Sequence, residues 1–267
     1  MATYDGKVII LTGASQGIGK ALALALAPQK PKLVLAARDE AALQAVAARC
    51  ASLGAQTFVY KTDVTDEAQC RDLIRRTAKD AGGIDVLIHN AGAGMNARFD
   101  ELSDISIFEK LMRLNYLGPV YLTHEALPHL KTSHGHIVVI ASVAGLTGVP
   151  LRTAYSGSKH AVFGLFESMR IELEEFGISV TMIAPDFVQS EIHMRAYGPD
   201  GQPVGDTTIA ERVAMPAEEC ARLIVGAMER RQRILITSLR GKAGRFARLI
   251  APKLIDRIAA RAIRRGV

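Results

Sequence analysis

The 267-residue sequence predicts an α/β fold: a doubly wound parallel sheet with helices on both faces and a basic helical extension behind it. Three observations carry that expectation. Short Val/Ile-rich runs alternate with longer stretches of helical periodicity, the pattern of βαβ units. A glycine-rich turn joins the first apolar run to the first helical one. Nothing resembling a linker interrupts 1–239, so these units are expected to form one domain, with 240–267 as the extension.

The predicted strands are Lys7–Leu11, Lys32–Ala36, Gln56–Lys61, Ile84–His89, His136–Ala141, Ile178–Ile183 and Arg233–Ile236. Their apolar continuity suits strands buried on both faces. Between them the helical stretches are Gly17–Ala27, Asp39–Leu53, Asp66–Ala81, Ser106–Lys131, Ala154–Phe176 and Ala217–Arg231. One irregular segment, Glu191–Met215, is rich in Gly and Pro and follows the sixth strand, where a substrate lid is expected.

Composition narrows the setting. With 49% apolar and 22% charged residues the chain has material for one large core. Cys50, Cys70 and Cys220 lie far apart, in no metal-ligand spacing and in odd number, so no metal site or disulfide framework is expected and a reducing, cytoplasmic setting fits. Met1 to Asp5 lead into an apolar strand with no signal-peptide pattern, and no run approaches the ~18 apolar residues of a membrane span. The net charge of +6 is uneven: 240–267 carries +8, which leaves −2 on the body. By charge the body is no nucleic-acid binder.

Thr12-Gly13-Ala14-Ser15-Gln16-Gly17-Ile18-Gly19 forms the first strand-to-helix turn. Glycines let the backbone turn sharply and approach a ligand, and a helix start offers unpaired N–H groups to an anion. A dinucleotide pyrophosphate suits this place, met by Gly13, Ser15, Gln16, Gly17, Ile18 and Gly19. The Gly-x3-Gly-x-Gly spacing departs from the commoner fingerprint and also serves a plain tight turn. After the second strand, where an NAD site places a carboxylate for the ribose 2′-hydroxyl, stands Ala36-Ala37-Arg38. Arg38 can pair with a 2′-phosphate, a contact worth roughly 1.5–3 kcal/mol, so NADP(H) is the expected cofactor. The alternative is that Arg38 caps a surface turn. Asp63-Val64 is placed for the adenine amino group, and Asp63 equally suits a helix cap. Asn90, Ala91 and Gly92 put small residues where backbone passes a nucleotide.

Tyr155 and Lys159 share one face of a helix by their i,i+4 spacing. A tyrosine titrates near pH ~10, and bringing it to neutrality requires roughly 4 kcal/mol of interaction with the phenolate. Lys159 supplies one positive charge and oxidised nicotinamide another. Ser142, at the end of the fifth strand, can hold a substrate oxygen beside the phenol.

In their order and distances these motifs, with Asn115, resemble the short-chain dehydrogenase/reductase family over nearly the whole chain. The resemblance implies a Rossmann-like seven-stranded sheet and a tetrad. Tyr155 would pass the proton, Lys159 lower its pKa and bind ribose, Ser142 orient the carbonyl or hydroxyl, and Asn115 hold a relay water. It further implies that Pro185, Val188 and Ser190 meet the nicotinamide, Ser190 replacing a Thr that bonds the carboxamide. Departures are His89 for a frequent Asn, Gly157 for a frequent Ala, and Pro185-Asp186 for a frequent Pro-Gly.

Ketoacyl reductases of the family typically end soon after the last strand, whereas here Ile234 to Leu239 runs into the basic tail. In this the chain is more similar to membrane-associated members acting on steroids, retinoids and other lipids, the dehydrogenase/reductase 7B type among them. A lipophilic alcohol or carbonyl is the implied substrate. The alternatives are a soluble ketoacyl, sugar or polyol reductase and a non-catalytic NADP-responsive binding protein. The intact Ser142, Tyr155 and Lys159 argue against the latter. Ser106–Lys131 and Ala154–Phe176 are more apolar than one sheet face requires, and the resemblance implies that they pair in a homodimer or homotetramer.

In the tail Phe246, Leu249, Ile250, Leu254, Ile258 and Ala262 recur at helical intervals, with Arg245, Arg248, Lys253, Arg257, Arg261 and Arg264 between them. Pro252 is expected to start a second segment or kink the first. This face suits either a peripheral membrane contact or packing on protein.

Overall fold

Seven β-branched and leucine-rich runs become strands: Val8–Thr12 (β1), Lys32–Ala37 (β2), Gln56–Lys61 (β3), Val86–His89 (β4), His136–Ile140 (β5), Ser179–Ala184 (β6) and Ile234–Ile236 (β7). They form one parallel sheet in the order β3-β2-β1-β4-β5-β6-β7. β1 is central, with Ile9 facing Leu33 of β2 on one side and Val86 of β4 on the other. The winding reverses between β1 and β4, so a crevice opens there at the carboxyl ends of the strands. The computed structural model describes residues 3–190, 192, 194–205 and 214–264. Of the expected lid 191–215, therefore, 191, 193 and 206–213 lie outside the described residues.

Alternate side chains of β1 point to opposite faces and build two cores. Ile9 and Leu11 join Leu22 of the helix Gly17–Leu26 (α1), Leu43 of Glu40–Ser52 (α2) and Ile224 of a helix near the chain end. Val8 and Ile10 join Leu73 of Glu67–Ala81 (α3) and, from two further helices, Leu122, Val162 and Phe166. Fully burying such a side chain stabilises by ~1.5–3 kcal/mol. Asp39 caps α2 by accepting the Ala42 N–H, and Asp66 caps α3 by accepting those of Ala68 and Gln69.

The stretch read as one helix over Ser106–Lys131 is broken. Ser106–Met112 (α4) gives way to a π-helical turn at Arg113–Leu117, and Gly118–Ser133 (α5) resumes the regular helix. Thr153–Glu172 (α6) and Ala217–Glu229 (α7) follow. After β7, Ser238 caps Leu239–Ile250 (α8) through the Gly241 N–H at 2.9 Å, and Pro252 opens Pro252–Arg264 (α9). The side chains of Ala262 and Arg264 lie outside those described.

Candidate active site

Thr12 ends β1 and knots the crevice together. Its hydroxyl donates to the Ile88 carbonyl at 3.2 Å and accepts the Asn90 and Ala91 N–H groups at 3.0 and 3.2 Å. The Asn90 side-chain amide donates to the Thr12 and Gly13 carbonyls, both at 3.0 Å. Asn90 thus braces the glycine turn instead of merely leaving room beside it. Gly13 and Gly17 have φ of +65° and +52°, where a side chain is strained, and a Cβ at Gly19 would overlap the Gly13 carbonyl oxygen. Gln16 occupies the N-cap of α1 without a side-chain cap, and no acid stands in the first turn. The first intrahelical bond runs from Lys20 N–H to the Gln16 carbonyl, so the earlier amides, beside the partly exposed Ser15, Gln16 and Ile18, face an anion-binding hollow. A pyrophosphate fits this cradle. Ser190 lies over it: a Cβ on Gly17 would come 3.1 Å from that of Ser190.

Beyond β2, Arg38 is exposed, and the carboxylate next to it, Asp39, is used as the α2 cap. Asp63 is not the α3 cap; Asp66 is. One Asp63 carboxylate oxygen accepts from the Thr65 N–H and hydroxyl at 2.9 and 2.8 Å, folding the loop so that Val64 is buried under α5.

Asn115 sits inside the π-helical turn, 2% exposed. Its side-chain oxygen accepts the Ala93 N–H at 3.1 Å, and its amide donates to the Ala93 carbonyl and to Ser158 Oγ at 3.1 and 3.0 Å. Ser158 in turn donates to the Tyr155 carbonyl at 2.8 Å, linking α4–α5 to the helix that carries the phenol. Tyr155 and Lys159 are 7% and 5% exposed, and Lys159 Nζ donates to the Ile140 carbonyl at 3.0 Å. Gly92 keeps space open here, since a Cβ would stand 3.0 Å from Asn115 Oδ1 and 3.7 Å from Lys159 Nζ. Ser142 Oγ accepts the Ala144 N–H at 3.2 Å and keeps its own proton to donate.

Burial pushes the Tyr155 phenol above its ordinary value; the Ser142 hydroxyl and the Arg152 guanidinium pull the other way. Burial lowers Lys159 to about 8. Both groups are therefore charged only at a cost, which anionic phosphates or a cationic ring brought into the crevice would offset.

The profile of the short chain dehydrogenase family matches residues 7–199. The chain belongs to that family. It is 36% identical to the dehydrogenase/reductase SDR family protein 7-like of Dictyostelium discoideum, covering 96% of this chain and 81% of that one. It is 35% identical to an 11-beta-hydroxysteroid dehydrogenase of Pinus massoniana, over 94% and 72% of the two chains. A short chain dehydrogenase/reductase from Burkholderia phymatum, solved in complex with NAD, superposes with a TM-score of 0.81 at 27% identity, over 95% of this chain and 96% of that one. The protein is accordingly an oxidoreductase acting on CH–OH groups with a nicotinamide cofactor, on a Rossmann-like sheet.

In this short-chain dehydrogenase Pro185 is buried and its carbonyl accepts the Val143 N–H at 3.0 Å. Asp186 has no positive φ, so a glycine is not required there. Its carboxylate binds Ser238 Oγ at 2.7 Å and Arg240 through two contacts of 2.8 and 3.2 Å. Val188 is buried and bridges Met215. Sequence reasoning named Thr12 only as the start of the glycine turn and Asp186 only as a departure from a frequent glycine, and it missed Arg152.

Proposed function

We propose that this enzyme uses NADP(H) to interconvert a lipophilic secondary alcohol with its ketone, or a related aldehyde. The carrying observation is the position of the phenol: Tyr155 packs with Met95, Ile107, Leu111 and Ala144, with Phe108 and Val149 beside them. The first four are buried core, whereas Phe108 and Val149 are partly exposed, and a substrate oxygen reaching Tyr155 and Ser142 brings its carbon skeleton towards these two apolar side chains. The name of the hydroxysteroid dehydrogenase relative supports the same class.

Bound in the crevice, the nicotinamide supplies or accepts the hydride. The chain's own residues do the rest. Gly13 to Gly19 receive the pyrophosphate, and Arg38 receives a 2′-phosphate with no free carboxylate beside it to repel one. Asp63 and Val64 border the adenine, Gly92 and Lys159 the ribose, and Pro185, Val188 and Ser190 the nicotinamide. Ser142 orients the substrate oxygen; Tyr155 delivers its proton in reduction and takes one in oxidation. Lys159 favours the phenolate, and Asn115 opens a relay towards Lys159.

Binding of NADPH and NADH, followed by turnover on steroid ketones, sugars and acyl thioesters, tests this. NADPH should bind at least ~10-fold tighter, since a charge-assisted pair is worth more than 1.4 kcal/mol. Equal affinities would sink the Arg38 assignment, and a preference for sugars would sink the lipophilic one.

A further inference from the structure

The terminal helices invert the usual amphipathic arrangement. Gly241 of α8 faces inward, where a Cβ would meet Ile236 Cγ2 and Val143 Cγ1, each at 2.9 Å. Arg248, two turns on along the same side, donates to the Leu146 carbonyl at 2.8 Å. Across the helix Leu239, Phe246, Leu249 and Ile250 are 82%, 66%, 80% and 85% exposed. α9 continues the pattern, with Leu254 and Ile258 each more than half exposed. A helix that packs on its own body buries its apolar stripe. This one turns a glycine and an arginine towards the body, buries no residue, and leaves its large apolar side chains outward. Lys242, Lys253, Arg257 and Arg261 are exposed around them, in a segment of net charge +8.

We propose that α8 and α9 lie in the surface of a bilayer rich in anionic lipid, the apolar side among acyl chains and the basic residues at the head groups. Charge complementarity selects this occupant. A second copy of the chain fits less well, because a two-fold pairing sets one basic surface against another. No helix among the described residues is long and apolar enough to cross a membrane, and the contact inferred is interfacial. The Asp186–Arg240 pair and the Leu146–Arg248 bond tie the docking helix to the segments that follow β6 and β5. The inference stands whichever substrate the crevice takes.

The chain contains no tryptophan, so Phe246→Trp in the whole protein places a single indole on the docking surface. With phosphatidylcholine vesicles containing phosphatidylserine at low salt, its emission should shift to the blue and the protein should co-sediment. Binding should fall at least about tenfold with phosphatidylcholine alone or at high salt. Leu249→Ser with Ile250→Ser, both at exposed positions, should weaken co-sedimentation by a similar factor while cofactor binding stays unchanged. Equal binding to the two kinds of vesicle, no binding to either, or a dimer that the double serine variant turns into a monomer would overturn the proposal.

Discussion

Arg152 stands at the N-cap of α6, three residues ahead of Tyr155, and its charge opposes the burial that raises the phenol's pKa. Its guanidinium carbon lies 5.6 Å from the centre of the Phe187 ring, so an aromatic face helps to hold it in this half-buried position. Arg152→Met removes the charge and keeps most of the volume. Carbonyl reduction needs the protonated phenol and fails as pH rises through its pKa. In the variant that limb should move to higher pH, and alcohol oxidation at neutral pH should slow. A limb that stays in place would remove Arg152 from the electrostatics of the site.

Tyr155→Phe keeps the ring among Met95, Ile107 and Leu111 and deletes the proton donor. Turnover should drop by about 10²–10⁴, the usual worth of general acid–base catalysis, with cofactor affinity measured by NADPH fluorescence unchanged. Retention of a tenth of the activity would reject the assignment.

Ala37→Asp combined with Arg38→Leu puts a carboxylate at the end of β2 and removes the cation. The ratio of NADPH to NADH affinity should fall at least ~10-fold. An unchanged ratio would mean that the 2′-phosphate is bound elsewhere.

His89 and His136 are buried, each with Nε2 paired to a threonine hydroxyl at 2.8 Å, and burial lowers them to about 3 and about 4. These folded values lie below the unfolded value of ~6.5, so the unfolded chain takes up protons first as pH falls. The stability they leave intact above pH ~6.5 is therefore lost as pH drops towards 4, at about 1.4 kcal/mol per pH unit for each histidine. Urea midpoints should fall from pH 7 to pH 5, and His89→Asn should flatten the slope by about half. Equal slopes in both proteins would place the acid sensitivity elsewhere.

Ile105 and Ile171, beside α4 and within α6, are 75% and 65% exposed. A homodimer or homotetramer that pairs these helices is expected to cover both. Sedimentation of a single monomeric species at micromolar concentration would contradict that assembly.

The strands were legible because a buried parallel strand has one signature, continuous apolar sequence, as Val8 to Thr12 shows. Gly19 was legible as a close approach from its spacing to Gly13, and Tyr155 with Lys159 from helix periodicity. The cap of α3 was ambiguous only because Asp63 and Asp66 both precede it, and the Asp66-x-x-Gln69 pattern could have decided. What stayed hidden depends on contacts distant in sequence. Asp186 meets Arg240 across 54 residues, and Asn115 meets Ala93 across 22. Neither pair leaves a periodic trace.

The turn at Arg113–Leu117 carries one residue more than a regular helix would hold there, and that surplus is what aims Asn115 at Ala93 and Ser158. Deleting a single residue from this turn would repair the helical ladder while rotating every side chain upstream of the deletion by about 100° relative to α5. Substitutions in α4 and α5 are thus open to gradual change, whereas their length is not: a one-codon deletion here would yield a more regular helix and a defective enzyme.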